Sequence, residues 1–186
     1  MTSLSFTRAQ LIRQATLTEA DLAEVAACRR DHNRLGFAYQ IAFVRLFHCF
    51  PAQQPLEVCE ELLSFVALQL RRDTTPIEGY AARQHTVSDH QARIRDYLGL
   101  TPFDLEQTAA LEPFVFEEAL RLEPTAALLA CARDFLRERR VLFPAESALL
   151  RIVGEQKKRA REHIVTRLVQ QVPNTVTEAL DDLLEV

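Results

Sequence analysis

Apolar residues recur at helical spacing along most of the chain. Between Asp31 and Phe47 they cover almost every angle of a helix, which predicts a central buried helix capped by Asp31. A second apolar stripe predicts a helix from Pro55 to Leu70. The stretch from Ser147 to about Gln171 reads as one long helix of roughly 35–40 Å. Helical periodicity therefore dominates the sequence, and no alternating pattern of the kind that predicts strands accompanies it.

A helical hairpin is predicted in the middle of the chain. A short helix starts at Pro76, the residues Gln84 to Thr86 form a tight connection, and Gly99 ends the following helix. These are the dimensions of a helix-turn-helix unit, although many helical hairpins with the same pattern bind nothing. The second helix would direct outward Thr86, Asp89 and Arg93, with Arg83 and His85 beside its start. His90 faces the apolar stripe and is interpreted as an interior histidine.

The fold class follows from these elements and from the residue types. Leu, Ala, Arg, Glu and Gln dominate, and all of them are good helix formers. Pro102, Pro113 and Pro124 each stand at a plausible helix start. We predict an all-α compact bundle of about eight or nine helices, divided into a helical subdomain at 1–100 and a second one at 101–186. The apolar face of the last residues predicts that the chain is cut before a larger protein body.

The chemistry that the sequence can hold is narrow. The four glycines are scattered, so neither a dinucleotide-binding loop nor a P-loop can form. Adjacent acidic pairs such as Glu60-Glu61 point about 100° apart on a helix, and the four cysteines lack metal-ligand spacing. We therefore predict no catalytic, cofactor or metal site and no small-molecule substrate in this chain. The longest apolar run is also too short for a membrane span of about 20 residues.

Charge is distributed in bands although the net charge is only −4. Residues 133–167 carry ten basic against five acidic side chains, whereas 100–132 and 168–186 are strongly acidic. A basic band can present a cationic face to a polyanion, or it can be a solvated helix paired with Glu155 and Glu162. The candidates for contact with a phosphate backbone are Arg139, Arg140, Arg151, Lys157, Lys158 and Arg161.

Three segments carry a family resemblance. Residues 29–41 read R-R-D-H-N-R-L-G-F-A-Y-Q-I, residues 80–86 read Y-A-A-R-Q-H-T, and residues 136–144 read L-R-E-R-R-V-L-F-P. The second segment continues to Leu98-Gly99-Leu100. Together, and in this order, they resemble segments near the start of the Tn-three family of replicative transposases.

This resemblance implies the N-terminal, non-catalytic part of a transposase several times longer. In that family this region helps to bind the terminal inverted repeats of double-stranded DNA, and a distant domain holds the acidic residues for Mg²⁺-dependent strand transfer. It also implies a bacterial, cytoplasmic, nucleoid-associated protein whose partners are the rest of the transposase and a second protomer.

Two functions remain open at this point. In the first, Arg83, His85, Thr86 and Arg93 read or flank bases while the basic band follows the phosphates. In the second, the chain is a helical protein-interaction module that mediates transposase dimerisation or assembly, which the acidic bands favour because they repel DNA.

Overall fold

The structure, a computed structural model, describes residues 6–53 and 55–171. Apart from one isolated bridge between Gln53 and Leu56, the regular structure in these residues is helical. The predicted all-α class is therefore confirmed. The nine helices in the described part are α1 (Arg8–Ala15), α2 (Glu19–Ala26), α3 (Asp31–Phe47), α4 (Glu60–Leu70), α5 (Pro76–Ala81), α6 (Gln84–Leu98), α7 (Leu105–Ala119), α8 (Thr125–Glu138) and α9 (Glu146–Gln171).

The described residues fall into two units that divide between Thr101 and Pro102. In the first unit α3 is the central element, because α1, α2, α4, α5 and α6 all pack against it. Every residue of α3 from Leu35 to Val44 is buried. The prediction of a central buried helix is confirmed, and the polar exception within it, Gln40, hydrogen bonds to the hydroxyl of Tyr80.

Gly36 allows α5 to approach α3 closely. A Cβ built at this position would overlap the ring of Tyr80, which is completely buried. Only a residue without a side chain leaves room for that ring. The contact holds α5, and with it the start of the helical hairpin, directly on the central helix.

The start of α4 differs from the sequence prediction. The helix begins at Glu60 rather than at Pro55. The reason is a contact from the central helix: the Tyr39 hydroxyl donates to the carbonyl of Glu57 (3.0 Å) and accepts from the amide of Cys59 (2.9 Å). These bonds fix the residues before α4 in a non-helical path that satisfies their polar groups.

Caps also differ from expectation at α3. Asp31 is the first residue of the helix, and Arg30 occupies the N-cap position without a side-chain hydrogen bond to the helix. The predicted role of Asp31 as the cap is therefore wrong. Its carboxylate instead forms ion pairs with Arg72 (2.5 Å) and Arg34 (3.7 Å).

The second unit is built from α7, α8 and α9, which pack pairwise. The long helix was predicted correctly, but Pro113 lies inside α7 and not at a helix start. Leu111 and Val115 on either side of it are buried in the core of this unit. That packing holds the helix together although proline cannot donate the usual backbone hydrogen bond.

The predicted apolar turns near the end of the chain, at Val176, Leu180, Leu183 and Leu184, lie outside the described residues. Within the described ranges, no helix is both long and apolar enough to span a membrane.

Candidate nucleic-acid interface

The hairpin of α5 and α6 is held on the first unit by apolar side chains. Ile77 and Tyr80 of α5 and Val87 and Ile94 of α6 are buried in its core. The connection is only two residues long, Ala82 and Arg83, since α6 begins at Gln84. The prediction that Gln84, His85 and Thr86 form the connection is therefore wrong, and they make the first turn of α6.

Three of the predicted DNA-binding residues meet at the start of α6. Arg83 is exposed at the N-cap, the His85 side chain is 94% exposed, and Thr86 is half-buried. Within the described residues, the Arg83 side chain makes no capping hydrogen bond to this end of the helix. The first amide groups of a helix carry partial positive charge, so they and Arg83 favour an anion at this place.

An acidic side chain lies beside this cluster. His85 Nδ1 is 3.2 Å from a carboxylate oxygen of Asp89, one helical turn further on. The carboxylate repels a phosphate placed directly over the ring. The geometry therefore favours contact at the Arg83 side of the cluster.

Arg93 lies apart from the other three residues. Its guanidinium donates to the carboxylate of Glu24 on α2 (2.5 and 3.0 Å) and to the Glu24 carbonyl (3.0 Å), and it lies 4.8 Å from the centre of the Phe37 ring. The side chain is 38% exposed. It fastens α6 to α2 and α3, so base reading by Arg93 stays a prediction that needs this contact to open.

His90 belongs to the interior, as the apolar stripe predicted. Its ring stacks on Tyr80 and meets Phe37 edge-on, and Nδ1 is 3.1 Å from the Tyr80 hydroxyl. Burial lowers the pKa of His90, and the nearby positive charge of Arg93 lowers it further. A neutral histidine with its polar atoms near partners is a structural residue here.

In the second unit the predicted basic stripe of α9 is largely paired with acids. Arg151 contacts Glu155 at 3.3 Å and Lys158 contacts Glu162 at 3.8 Å, each one turn along the helix. Arg161 reaches Glu123 at 3.0 Å. Lys157 donates to the hydroxyl of Thr125 (3.3 Å). Exposed pairs of this kind are weak and open easily, but they reduce the local positive field.

Arg139 and Arg140 lie at the end of α8 and not on the α9 stripe. Arg139 is the C-cap and its guanidinium sits 5.0 Å from the centre of the Phe135 ring. Arg140 has a left-handed backbone conformation with φ 58°. Both side chains are exposed.

A group of arginines that the site prediction omitted lies near the start of α3. Arg71, Arg72 and Asp31 line an open cleft of about 500 Å³ together with Asp73, Thr75 and Pro76. Arg30, which precedes Asp31 in the chain, is also exposed. The signal available in the sequence was the pair of dipeptides Arg29-Arg30 and Arg71-Arg72, which stand just outside helix ends. In the described part of the chain, no three His, Cys, Asp or Glu side chains are grouped closely enough to hold a metal ion.

The described residues thus form an all-α protein with exposed cations at the start of α6, at the ends of α4 and α8, and along α9. The chain belongs to the family described as "Domain of unknown function (DUF4158)", which matches residues 2–156.

Named relatives add a second line of comparison. The chain is 31% identical to the transposase for transposon Tn501 of Pseudomonas aeruginosa over 95% of its own length and 18% of the relative's. It is 26% identical to the transposase for transposon Tn1546 of Enterococcus faecium, over 91% and 17%. It is 31% identical to the transposase for transposon gamma-delta of Escherichia coli K12, over 89% and 17%. The chain thus spans less than a fifth of these curated relatives, and its predicted resemblance to Tn-three family transposases is confirmed.

Proposed function

We propose that this chain is a DNA-binding part of a transposase and recognises the terminal inverted repeats of its transposon during DNA transposition. Homology to transposases supports a role in that process. The observation that carries the DNA-binding role is the start of α6, where Arg83, His85 and Thr86 gather on a hairpin seated on the central helix. In this proposal the chain binds DNA, while strand cleavage and joining, with their Mg²⁺, belong to other parts of the transposase.

The mechanism divides contacts by their chemistry. Recognition helices meet base edges with their N-terminal residues, and an arginine can bind O6 and N7 of guanine with two parallel hydrogen bonds. In this proposal Arg83 makes such a contact, with His85 and Thr86 beside it. The packing of Tyr80 against Gly36 holds α5, which leads into this end of the hairpin, against the central helix. The basic residues of the second unit would add phosphate contacts once their weak ion pairs open.

A gel-shift assay tests the proposal. The full chain is mixed with an inverted-repeat duplex or with a scrambled duplex of the same composition, at two salt concentrations. We expect both duplexes to shift at low salt and only the repeat to remain bound at higher salt, because non-specific binding depends most on counterion release. Non-specific affinities are roughly 10⁻⁴–10⁻⁶ M. The absence of any shift at low salt, even at protein concentrations well above about 10 µM, contradicts the DNA-binding role.

A second prediction concerns the reading residues. Arg83→Ala is expected to weaken binding to the inverted repeat by about 1–3 kcal/mol and to change binding to random DNA little. Arg93→Ala should likewise weaken binding to the inverted repeat more than binding to random DNA. Competition binding with both duplexes measures the two losses.

Glu24→Ala is the matched control for Arg93. It removes the carboxylate partner but leaves the guanidinium in place. If Glu24→Ala weakens repeat binding as much as Arg93→Ala does, Arg93 acts by holding α6 against α2 and does not read a base. If Arg83→Ala weakens both duplexes equally, Arg83 contacts phosphates and the recognition assignment is wrong.

The second candidate function is a protein-interaction module for transposase assembly. It is favoured by the exposed apolar face in the last turns of α9, formed by Ile164, Val165, Leu168 and Val169. Exposed apolar side chains that cluster on one surface are typical of protein contacts. A chain that self-associates in light scattering but shifts no duplex in the assay above would favour this function.

A further inference from the structure

We propose that four arginines of the first unit form a phosphate-binding surface that holds the DNA backbone beside the start of α6. They are Arg30, Arg34, Arg71 and Arg72, and we call them the arginine patch. This inference rests on the proposed function, since it names where in the chain the backbone of the duplex is bound. It assigns phosphate contacts to the first unit, whereas the sequence pattern had assigned them to the second.

One carboxylate joins two members of the arginine patch. Asp31 pairs with Arg72 at 2.5 Å and with Arg34 at 3.7 Å. Asp31, Arg71 and Arg72 also line the same open cleft. Two segments that are distant in sequence, residues 30–34 at the start of α3 and residues 71–76 between the end of α4 and the start of α5, therefore meet on one surface.

The arginine patch adjoins the start of α6 through His32. Burial lowers the pKa of His32, and the positive charges of Arg83 and then Arg30 lower it further, while Asp31 acts in the opposite direction. Both guanidinium groups thus lie within electrostatic reach of one imidazole. A Cβ built on Gly79 of α5 would lie 3.7 Å from the Cβ of His32, which shows how closely the start of α3 approaches the hairpin.

The charge balance distinguishes this surface from α9. In the arginine patch, Asp31 is shared by two guanidinium groups, and Asp73 is the other acid on the cleft wall. Four positive charges thus face two negative ones. On α9, by contrast, Arg151, Lys158 and Arg161 each have a carboxylate of their own. A phosphate gains more from the arginine patch than from these three paired cations, because less of the positive charge of the patch is already compensated.

The residue type and its placement favour phosphates over bases. Arginine offers a planar fork of donors that matches two phosphate oxygens, and it keeps its charge at every accessible pH. The arginine patch comes from helix ends and links, so it has no single helical face that could enter a groove. Contacts from such positions fix the register of the protein on the duplex while base contacts supply specificity.

The test uses two double variants of the full 186-residue chain with equal charge change. Arg30→Gln with Arg71→Gln removes two exposed charges of the arginine patch, and Arg83 stays intact. Arg8→Gln with Arg13→Gln removes two exposed charges from α1 as the control. Fluorescence anisotropy measures affinity for the inverted repeat and for random duplex across a salt series, and circular dichroism verifies that each variant is folded.

We expect the patch variant to bind both duplexes more weakly. The plot of log K against log salt should become less steep by about two units, since each phosphate contact contributes about 0.9 to its steepness. At 0.1 M salt this corresponds to a loss of at most about 60-fold. The control variant should keep the slope of the unaltered chain. Asp73→Asn removes a negative charge from the cleft wall and should therefore increase the affinity for both duplexes. This provides a test independent of the arginine substitutions.

Three results overturn the inference. If the two double variants have equal slopes, the arginine patch does not contact phosphates. The proposed function still stands in that case, because the unaltered chain binds DNA. If the patch variant loses affinity for the repeat alone, its arginines read bases. If the unaltered chain binds neither duplex, the proposed function and this inference fail together.

Discussion

Phe43→Ala is expected to lower the free energy of unfolding of the first unit by about 3–5 kcal/mol. The Phe43 side chain is 0% exposed, and its ring centre lies 4.6 Å from that of Phe47 and 5.8 Å from that of Tyr39. Truncation removes a large buried apolar surface and leaves a cavity that the surrounding helices can fill only in part. Urea unfolding monitored by circular dichroism measures this difference in the free energy of unfolding.

The control for this prediction is Leu68→Ala on α4. Leu68 is 75% exposed, so its truncation should change the free energy of unfolding by no more than about 0.5 kcal/mol. A loss below about 1 kcal/mol in Phe43→Ala would mean that α3 is not the core element of the unit. Because the second unit has a core cluster of its own, hydrogen exchange in α7, α8 and α9 should remain unchanged by the substitution.

The central helix could be predicted from sequence because its signal is local. Apolar residues on all sides of one helix require burial on all sides, and the structure places Leu35 to Val44 accordingly. The two capping boxes are equally local signals. Thr18 and Asp21 form one at the start of α2, and Thr7 and Gln10 form the other at the start of α1.

Other boundaries depend on contacts between segments that no local pattern contains. The segment from Pro55 to Cys59 has helical periodicity, yet the Tyr39 hydroxyl holds its backbone outside a helix. Pro113 looked like a helix start, but the packing of its neighbours carries α7 through it. In both cases tertiary interactions outweigh a local preference of the chain.

The candidate interface was predictable only in part for the same reason. Arg83, His85 and Thr86 are adjacent in sequence, so their meeting at one helix end follows from the hairpin alone. The side chain of Arg93 has an outward position by periodicity, but its partner Glu24 lies 69 residues away. The arginine patch likewise exists only after the start of α3 and the residues that follow α4 have come together, since its members come from two separate segments.

Asp21 offers the second large effect, because it joins three helices of the first unit. Its carboxylate is 0% exposed and accepts two hydrogen bonds from Arg45 of α3 at 2.7 Å. It also accepts from the Tyr97 hydroxyl of α6 and from the amide of Thr18, both at 2.7 Å. Burial by itself raises the pKa of Asp21, but the hydrogen bonds from Arg45, Thr18 and Tyr97 together hold it below the usual 3.8.

Asp21→Asn is expected to lower the free energy of unfolding by about 3 kcal/mol at neutral pH, since Arg45 then loses its charged partner while most of its side chain remains buried. The pKa of Asp21 is lower in the folded than in the unfolded state, so the ionised carboxylate stabilises the fold at pH values above 3.8. This contribution is lost as the pH falls through the lowered folded-state pKa. Unfolding experiments at a series of pH values should therefore show a constant difference between the two proteins above about pH 5 and a narrowing difference below it. A difference that stays the same under acidic conditions would mean that Asp21 stabilises the unit through its shape and neutral hydrogen bonds, and not through the charge it shares with Arg45.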